Sequence, residues 1–287
     1  MKTLRENVIR AMKCPVCGAR TELCEGASNG LRCNGIKTHC YDLSSAGYVN
    51  LCKPGQSGGG DSKQAVRARS DFLSKDYYRP VAEELCRVAC EFTDKDGVVL
   101  DAGCGEGYYS VMMASNGLPV LGIDISKFAT EAAAKRAKRE GTPNAFFATA
   151  SVFDMPVADA SISTITNVFA PCAEAEYRRA LADSGVLIVV YAGEEHLMGL
   201  KRAIYDTAHL NTPRADLPVG MQKVYETRVN YNIELDNLTD ILSLFSMTPY
   251  YWRTSPSDSE KLSGLQRLTT EVDVMISVYK NTKEALE

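Results

Sequence analysis

Gly97-Val98-Val99-Leu100-Asp101-Ala102-Gly103-Cys104-Gly105-Glu106-Gly107 opens as a short β-branched run and then breaks into three glycines at alternate positions. A run of this kind suits a buried strand. Glycines directly after it let the backbone turn tightly and pass close beneath a ligand. The spacing over Gly103, Gly105 and Gly107 is G-x-G-x-G, not the G-x-G-x-x-G of dinucleotide folds, so no pyrophosphate has to be cradled. Downstream the pattern alternates. Residues 108–116 read as helix, 118–126 as strand, and Lys127–Glu140 as a helix closed by Gly141. Residues 145–150, 160–169 and 185–192 then read as three more strands. Strands separated by helices of this length predict an α/β fold with a doubly wound sheet over residues 81–287.

Two carboxylates give the turn a chemistry. Asp101 ends the first strand, and Asp124 ends the next, 23 positions later. An acid at the second place accepts hydrogen bonds from two ribose hydroxyls, and Asp101 suits the cationic end of an amino acid. Adenosine, a sulfonium and an amino acid together describe S-adenosylmethionine (SAM). The reading is therefore a Rossmann-like class I SAM-dependent methyltransferase. Ser151 and Val152, after the third strand, fall beside the adenine. Asn167, Phe169 and Pro171, after the fourth, form the candidate rim for the methyl acceptor, with Phe169 equally readable as core.

The N-terminus carries a different signal. Six of ten cysteines lie in the first 52 residues, and Cys14 and Cys17 stand at C-x2-C with Pro15 between them and Gly18 after. Dense cysteines at one end of a chain without signs of an oxidising compartment read as metal ligands rather than disulfides. The preferred zinc set is Cys14, Cys17, Cys33 and His39, with Cys40 as the substitute for His39, and Cys24 is a spare thiol. Four protein ligands make such a zinc structural. Residues 1–55 are thus expected as a small zinc-binding, RNA-recognition module and 56–80 as linker and helix, with a Gly/Ser-rich loop at 54–60 and a helix over 64–78.

Composition limits the classes. Over 287 residues, 45% are hydrophobic and 24% charged, as in ordinary globular proteins. The longest apolar runs fall short of the roughly 18 residues of a membrane span. The basic N-terminus lacks the apolar region of a signal peptide, so the cytoplasm is expected. The net charge of −4 hides thirteen Lys/Arg against seven Asp/Glu in residues 1–80. A basic head on an acidic body suits one polyanion-facing surface.

CPVCGA (14–19), AGYVNL (46–51), VLDAGCGEGYYS (99–110), GIDISKFATEAAAKR (122–136), FAPC (169–172), HLMGLKRAIY (196–205) and TPYYWR (248–253) occur in that order. In this the chain resembles the bacterial 23S rRNA guanine-N1 methyltransferases over nearly its whole length. The resemblance implies methylation of a guanine in a hairpin loop of 23S rRNA near the peptide exit tunnel. One branch of that family is linked to resistance to mycinosyl macrolides such as tylosin. It further implies that Cys14, Cys17, Cys33 and His39 hold zinc, that Tyr78, Gly105, Glu106 and His196 contact SAM, that Asp124 holds the ribose, and that the chain forms a homodimer. The second half of the zinc motif is longer here, with Cys40 next to His39.

Direct in-line transfer needs a base for the guanine N1 proton. Asp154, Glu106 and Glu194 are the carboxylates at hand. Arg67 and Arg69 are expected to hold RNA without touching SAM. A small-molecule methyltransferase of the same fold and a non-catalytic RNA-binding module are the two alternatives, which methyl transfer to rRNA separates from the main reading.

Overall fold

The computed structural model describes residues 2–24, 29–56, 59–212 and 220–281. The chain begins with α1 (Lys2–Ala11), β1 (Thr21–Cys24), β2 (Gly30–Cys33), β3 (Cys40–Asp42) and β4 (Tyr48–Asn50). It continues with α2 (Lys63–Leu73), α3 (Arg79–Phe92), β5 (Val99–Ala102), α4 (Tyr108–Ser115), β6 (Val120–Asp124), α5 (Lys127–Glu140) and β7 (Ala145–Thr149). The last part holds β8 (Ile162–Val168), α6 (Glu174–Ala180), β9 (Leu181–Ala192), α7 (Met198–Ile204), β10 (Met221–Leu235), α8 (Leu238–Ser246), α9 (Pro256–Glu260) and β11 (Leu268–Asn281).

Strands β1, β2 and β3 form a small antiparallel sheet. The other eight form one sheet in the order β10-β11-β9-β8-β5-β6-β7-β4. It is parallel from β4 to β9 and antiparallel at the β11 and β10 edge. Period-two alternation divides its apolar side chains between two faces. Val99, Val186, Ile188 and Val190 pack with Phe72 of α2, Leu85 of α3, Leu200 of α7 and Leu244 of α8. Leu100, Leu187 and Val189 pack on the other side with Val8 of α1, Met12 just after it and Tyr177 of α6. Both faces are covered, as the doubly wound reading requires.

Three features differ from the sequence expectations. The helix expected over 64–78 ends at Leu73, and the chain turns through Asp76 at φ 62° before α3 starts with Pro80 in its first turn. Proline there begins a new helix rather than extending the old one. The paired β10 and β11 were not anticipated. Finally, α1, Leu31 and Val49 of the segment 1–55 belong to the main core, and β4 extends the large sheet beside β7. Of the Gly/Ser-rich stretch 54–60, residues 57 and 58 lie outside the described residues. Among the described residues no helix is long and apolar enough to cross a membrane.

Candidate active site and candidate metal centre

Strand β5 has β6 on one side and β8 on the other, so the order of the sheet reverses there. Open α/β sheets bind ligands in the crevice that such a reversal leaves at the carboxyl ends of the strands. The glycine turn fills this place. The amides of Gly103 and Cys104 both donate to the Ile123 carbonyl at 2.9 Å, fastening the turn to the end of β6. Gly103, Gly105 and Gly107 all have positive φ (82°, 54° and 80°), the region that glycine alone enters cheaply. Among the described residues, a Cβ at Gly105 would meet only the end of the Arg69 side chain, at 3.7 Å, so the turn is loosely covered there and not packed against backbone.

Asp124 borders the turn. Its carboxylate accepts from the Gly105 amide at 3.0 Å and the Ser126 amide at 2.8 Å, which aims it along the turn. Asp101, expected to suit the cationic end of an amino acid, has both carboxylate oxygens engaged by the protein. It is buried, with one oxygen taking the Ser110 hydroxyl and the other taking Thr166 Oγ1 at 2.9 Å. Burial pushes its carboxyl up to about 6, against the pull of those two hydroxyls. It braces β5, β8 and α4 beneath the turn. Glu106 is buried as well, and burial raises its pKa. Its Oε1 accepts no hydrogen bond among the described residues and stands 3.7 Å from Arg136 Nη2.

Sequence reasoning missed the part played by residues 59–69. Gly60 packs on Ile125, the Asp61 carbonyl takes the Ser126 hydroxyl at 2.7 Å, and Asp61 pairs with Arg69. The only signal was the glycine run before the helix, which close backbone approach explains as well as a linker does. This placement corrects the expectation for Arg69, which stands beside Gly105 rather than on a surface remote from SAM. Arg67 is exposed and faces Asp71 at 3.7 Å.

Ser151 follows β7, half-buried, and accepts from the Phe153 amide at 3.2 Å. Tyr78 and His196, distant in sequence, meet at 3.4 Å through Oη and Nε2. The Asp273 amide donates to His196 Nδ1 at 3.2 Å, so a neutral ring carries its proton on Nε2. Burial holds that ring's pKa down to about 4. His196 is therefore a hydrogen-bond donor at neutral pH and not a base. Phe169 stacks on it, with centroids 5.7 Å apart. On the expected rim, Asn167 points inward and donates to the Pro171 carbonyl and Tyr177 Oη, both at 2.9 Å. Of the other carboxylates, Asp154 is tied to Lys53 at 2.6 Å, which holds it below its ordinary range, and Glu194 is exposed.

Cys14, Cys17, Cys33 and His39 come together, each offering a ligand atom within 4.8 Å of the others. The Cys17–Cys33 sulfurs are 3.6 Å apart, and His39 Nδ1 is 3.6 Å from Cys14 and 3.5 Å from Cys33. A tetrahedron with metal–sulfur bonds of about 2.3 Å has edges of about 3.8 Å, so the donor set fits zinc. The amides of His39 and Gly35 hold the Cys33 thiol down to about 6, favouring the thiolate that metals bind. Tyr41 Oη, 2.9 Å from Cys14 Sγ, borders the cluster. Cys40 is exposed on β3 and outside it.

Residues 93–242 match the family model described as "Methyltransferase domain". The chain is 30% identical to the putative 23S rRNA (guanine-N(1)-)-methyltransferase of Micromonospora griseorubida, over 88% of this chain and 91% of that protein. It is 30% identical to the 23S rRNA (guanine(748)-N(1))-methyltransferase of Streptomyces fradiae, over 94% and 97%. The putative 23S rRNA (guanine-N(1)-)-methyltransferase YxjB of Bacillus subtilis is 27% identical over 93% and 96%. A methyltransferase domain behind a cysteine-rich N-terminus, aligned almost end to end with these proteins, places the chain in the 23S rRNA (guanine-N1)-methyltransferase family.

Proposed function

We propose that this chain transfers a methyl group from SAM to N1 of a guanine in a hairpin loop of 23S rRNA, in the cytoplasm where ribosomes are made. The observation that carries the cofactor half is the glycine turn bordered by the Asp124 carboxylate, with only the flexible end of Arg69 near Gly105 among the described residues. The near end-to-end similarity to proteins named for that reaction supports the acceptor half.

SAM supplies an electrophilic methyl on a sulfonium. In this reading Asp124 accepts from the ribose hydroxyls, and the amides of the glycine turn line the floor. Ser151 lies on the adenine side. Glu106 Oε1, which lies 3.7 Å from Arg136 Nη2 but accepts no hydrogen bond among the described residues, suits a donor on the ligand, with Tyr78 and His196 enclosing the far side. Asp101 acts at one remove by fixing the turn. Alignment of the acceptor with the methyl supplies most of the acceleration. A loop guanine is the accessible substrate, because pairing occupies N1 in a duplex. Zinc on Cys14, Cys17, Cys33 and His39 would hold the small sheet and, beside its strands, the exposed Arg20 and Lys37 in place for RNA.

Incubation with SAM and an unmodified domain of 23S rRNA, read by primer extension, tests the proposal. A methyl on guanine N1 blocks pairing, so one new stop beside a loop guanine is expected. No stop from protein that binds SAM would refute the rRNA reading and favour a small-molecule acceptor.

A further inference from the structure

We propose that the ring of Phe169 is the platform on which the everted target guanine stacks, held in place by the buried His196 behind it. The inference rests on the RNA-guanine reading above and adds to it the residue that positions the base.

Phe169 stands just past the end of β8, on the rim of the crevice that holds the glycine turn. The neighbouring Ala170 is so close to Gly103 that a Cβ on that glycine would lie 2.8 Å from the alanine methyl. The phenyl ring therefore borders the place where the methyl donor is proposed to bind. Its backbone sits at φ 51°. A bulky L-residue adopts this conformation only at a cost that its surroundings must offset, and such residues gather at binding sites. Burial of the ring does not offset it, since Phe169 is 47% exposed.

The ring is nonetheless fixed. One face lies on the His196 imidazole at an interplanar angle of 19°. The imidazole is anchored by the Asp273 amide and Tyr78 Oη. The Phe169 amide donates to the Val190 carbonyl at 3.1 Å, and Asn167 ties the loop down through Pro171. A half-exposed aromatic ring with a rigid backing on one face matches the stacking surfaces that hold single, unstacked bases. Stacking uses the face of the guanine and leaves its Watson–Crick edge, which carries N1, free to meet the methyl.

The test compares Phe169→Ala, Phe169→Leu, Phe169→Tyr and Phe169→Trp with the wild type on the full 23S rRNA domain. Single-turnover methylation, SAM affinity by calorimetry and thermal melting are measured for each. Loss of one base-stacking contact predicts that the Ala and Leu variants methylate about 10- to 100-fold more slowly. SAM affinity and melting should stay at wild-type values, and Tyr and Trp should keep the rate. An Ala or Leu variant as fast as wild type would overturn the platform alone and leave the rRNA reading standing. Tyr and Trp variants as slow as Ala would overturn it too, because packing and not stacking would then set the rate. A wild type that transfers nothing to a guanine would remove both readings.

Discussion

Gly103, Gly105 and Gly107 share positive φ, yet an added methyl would meet different neighbours at each. At Gly107 it would lie 2.8 Å from the Ala133 methyl and 3.0 Å from the Ala133 Cα, inside the packing of α4 on α5. At Gly105 it would meet the end of the Arg69 side chain at 3.7 Å, an ordinary contact that requires no neighbour to shift. Gly107→Ala should therefore cost folding stability, about 1–2 kcal/mol for the left-handed backbone and about 1–3 kcal/mol for overpacking. Gly105→Ala should cost only the backbone share of about 1–2 kcal/mol but weaken SAM binding at least about tenfold, one contact's worth. Urea unfolding and calorimetry on both variants check this, and wild-type SAM affinity in Gly105→Ala would contradict the assignment of the turn. At this scale the glycines and Asp124 were legible because strand, turn and acid follow one another closely along the chain. The state of Asp101 was not, since Thr166, which occupies one of its oxygens, is 65 residues away. Nor did the sequence tell whether Phe169 was core or rim.

Among the elements, the buried parallel strands were readable because their apolar runs are bounded by turns. Strand β10 was not: at the edge of the sheet among the described residues, it alternates polar and half-buried residues, and charges dilute its pattern. The C-x2-C half of the metal cluster was evident, whereas the choice of His39 over Cys40 depends on the strand that turns Cys40 outward. A segment this short buries too little to fold by itself, so metal binding should be part of its folding free energy. Mass spectrometry should find one zinc per chain, absent in Cys33→Ser. Hydrogen exchange in that variant should quicken over residues 14–42 and stay slow in β5 to β9. A wild type without zinc, or equal protection in the variant, would refute the structural role.

Across the whole molecule, a net charge of −4 means that RNA must be met by a local basic surface rather than by overall attraction. Arg67 is suited to it, being 84% exposed on its side chain and paired only loosely with Asp71; such a surface pair is worth little and releases the cation easily. Arg67→Glu should weaken rRNA binding and lower the slope of log affinity against log salt by about one, as loss of a phosphate contact does. Binding measured across a salt series checks this, and an unchanged slope would remove Arg67 from the interface. SAM binding should be unaffected, which no longer holds for Arg69 beside Gly105.

The pairing of β4 with β7 also has a consequence for biosynthesis. Asn50 aligns with Thr149, so about a hundred residues must leave the ribosome before β4 finds its neighbour, a wait of roughly 5–20 s at ordinary elongation rates. All four zinc-cluster residues emerge well before that. A nascent chain can thus close the cluster early while Val49 and the apolar side of α1 stay uncovered. During that interval the growing chain would depend on chaperones to shield them.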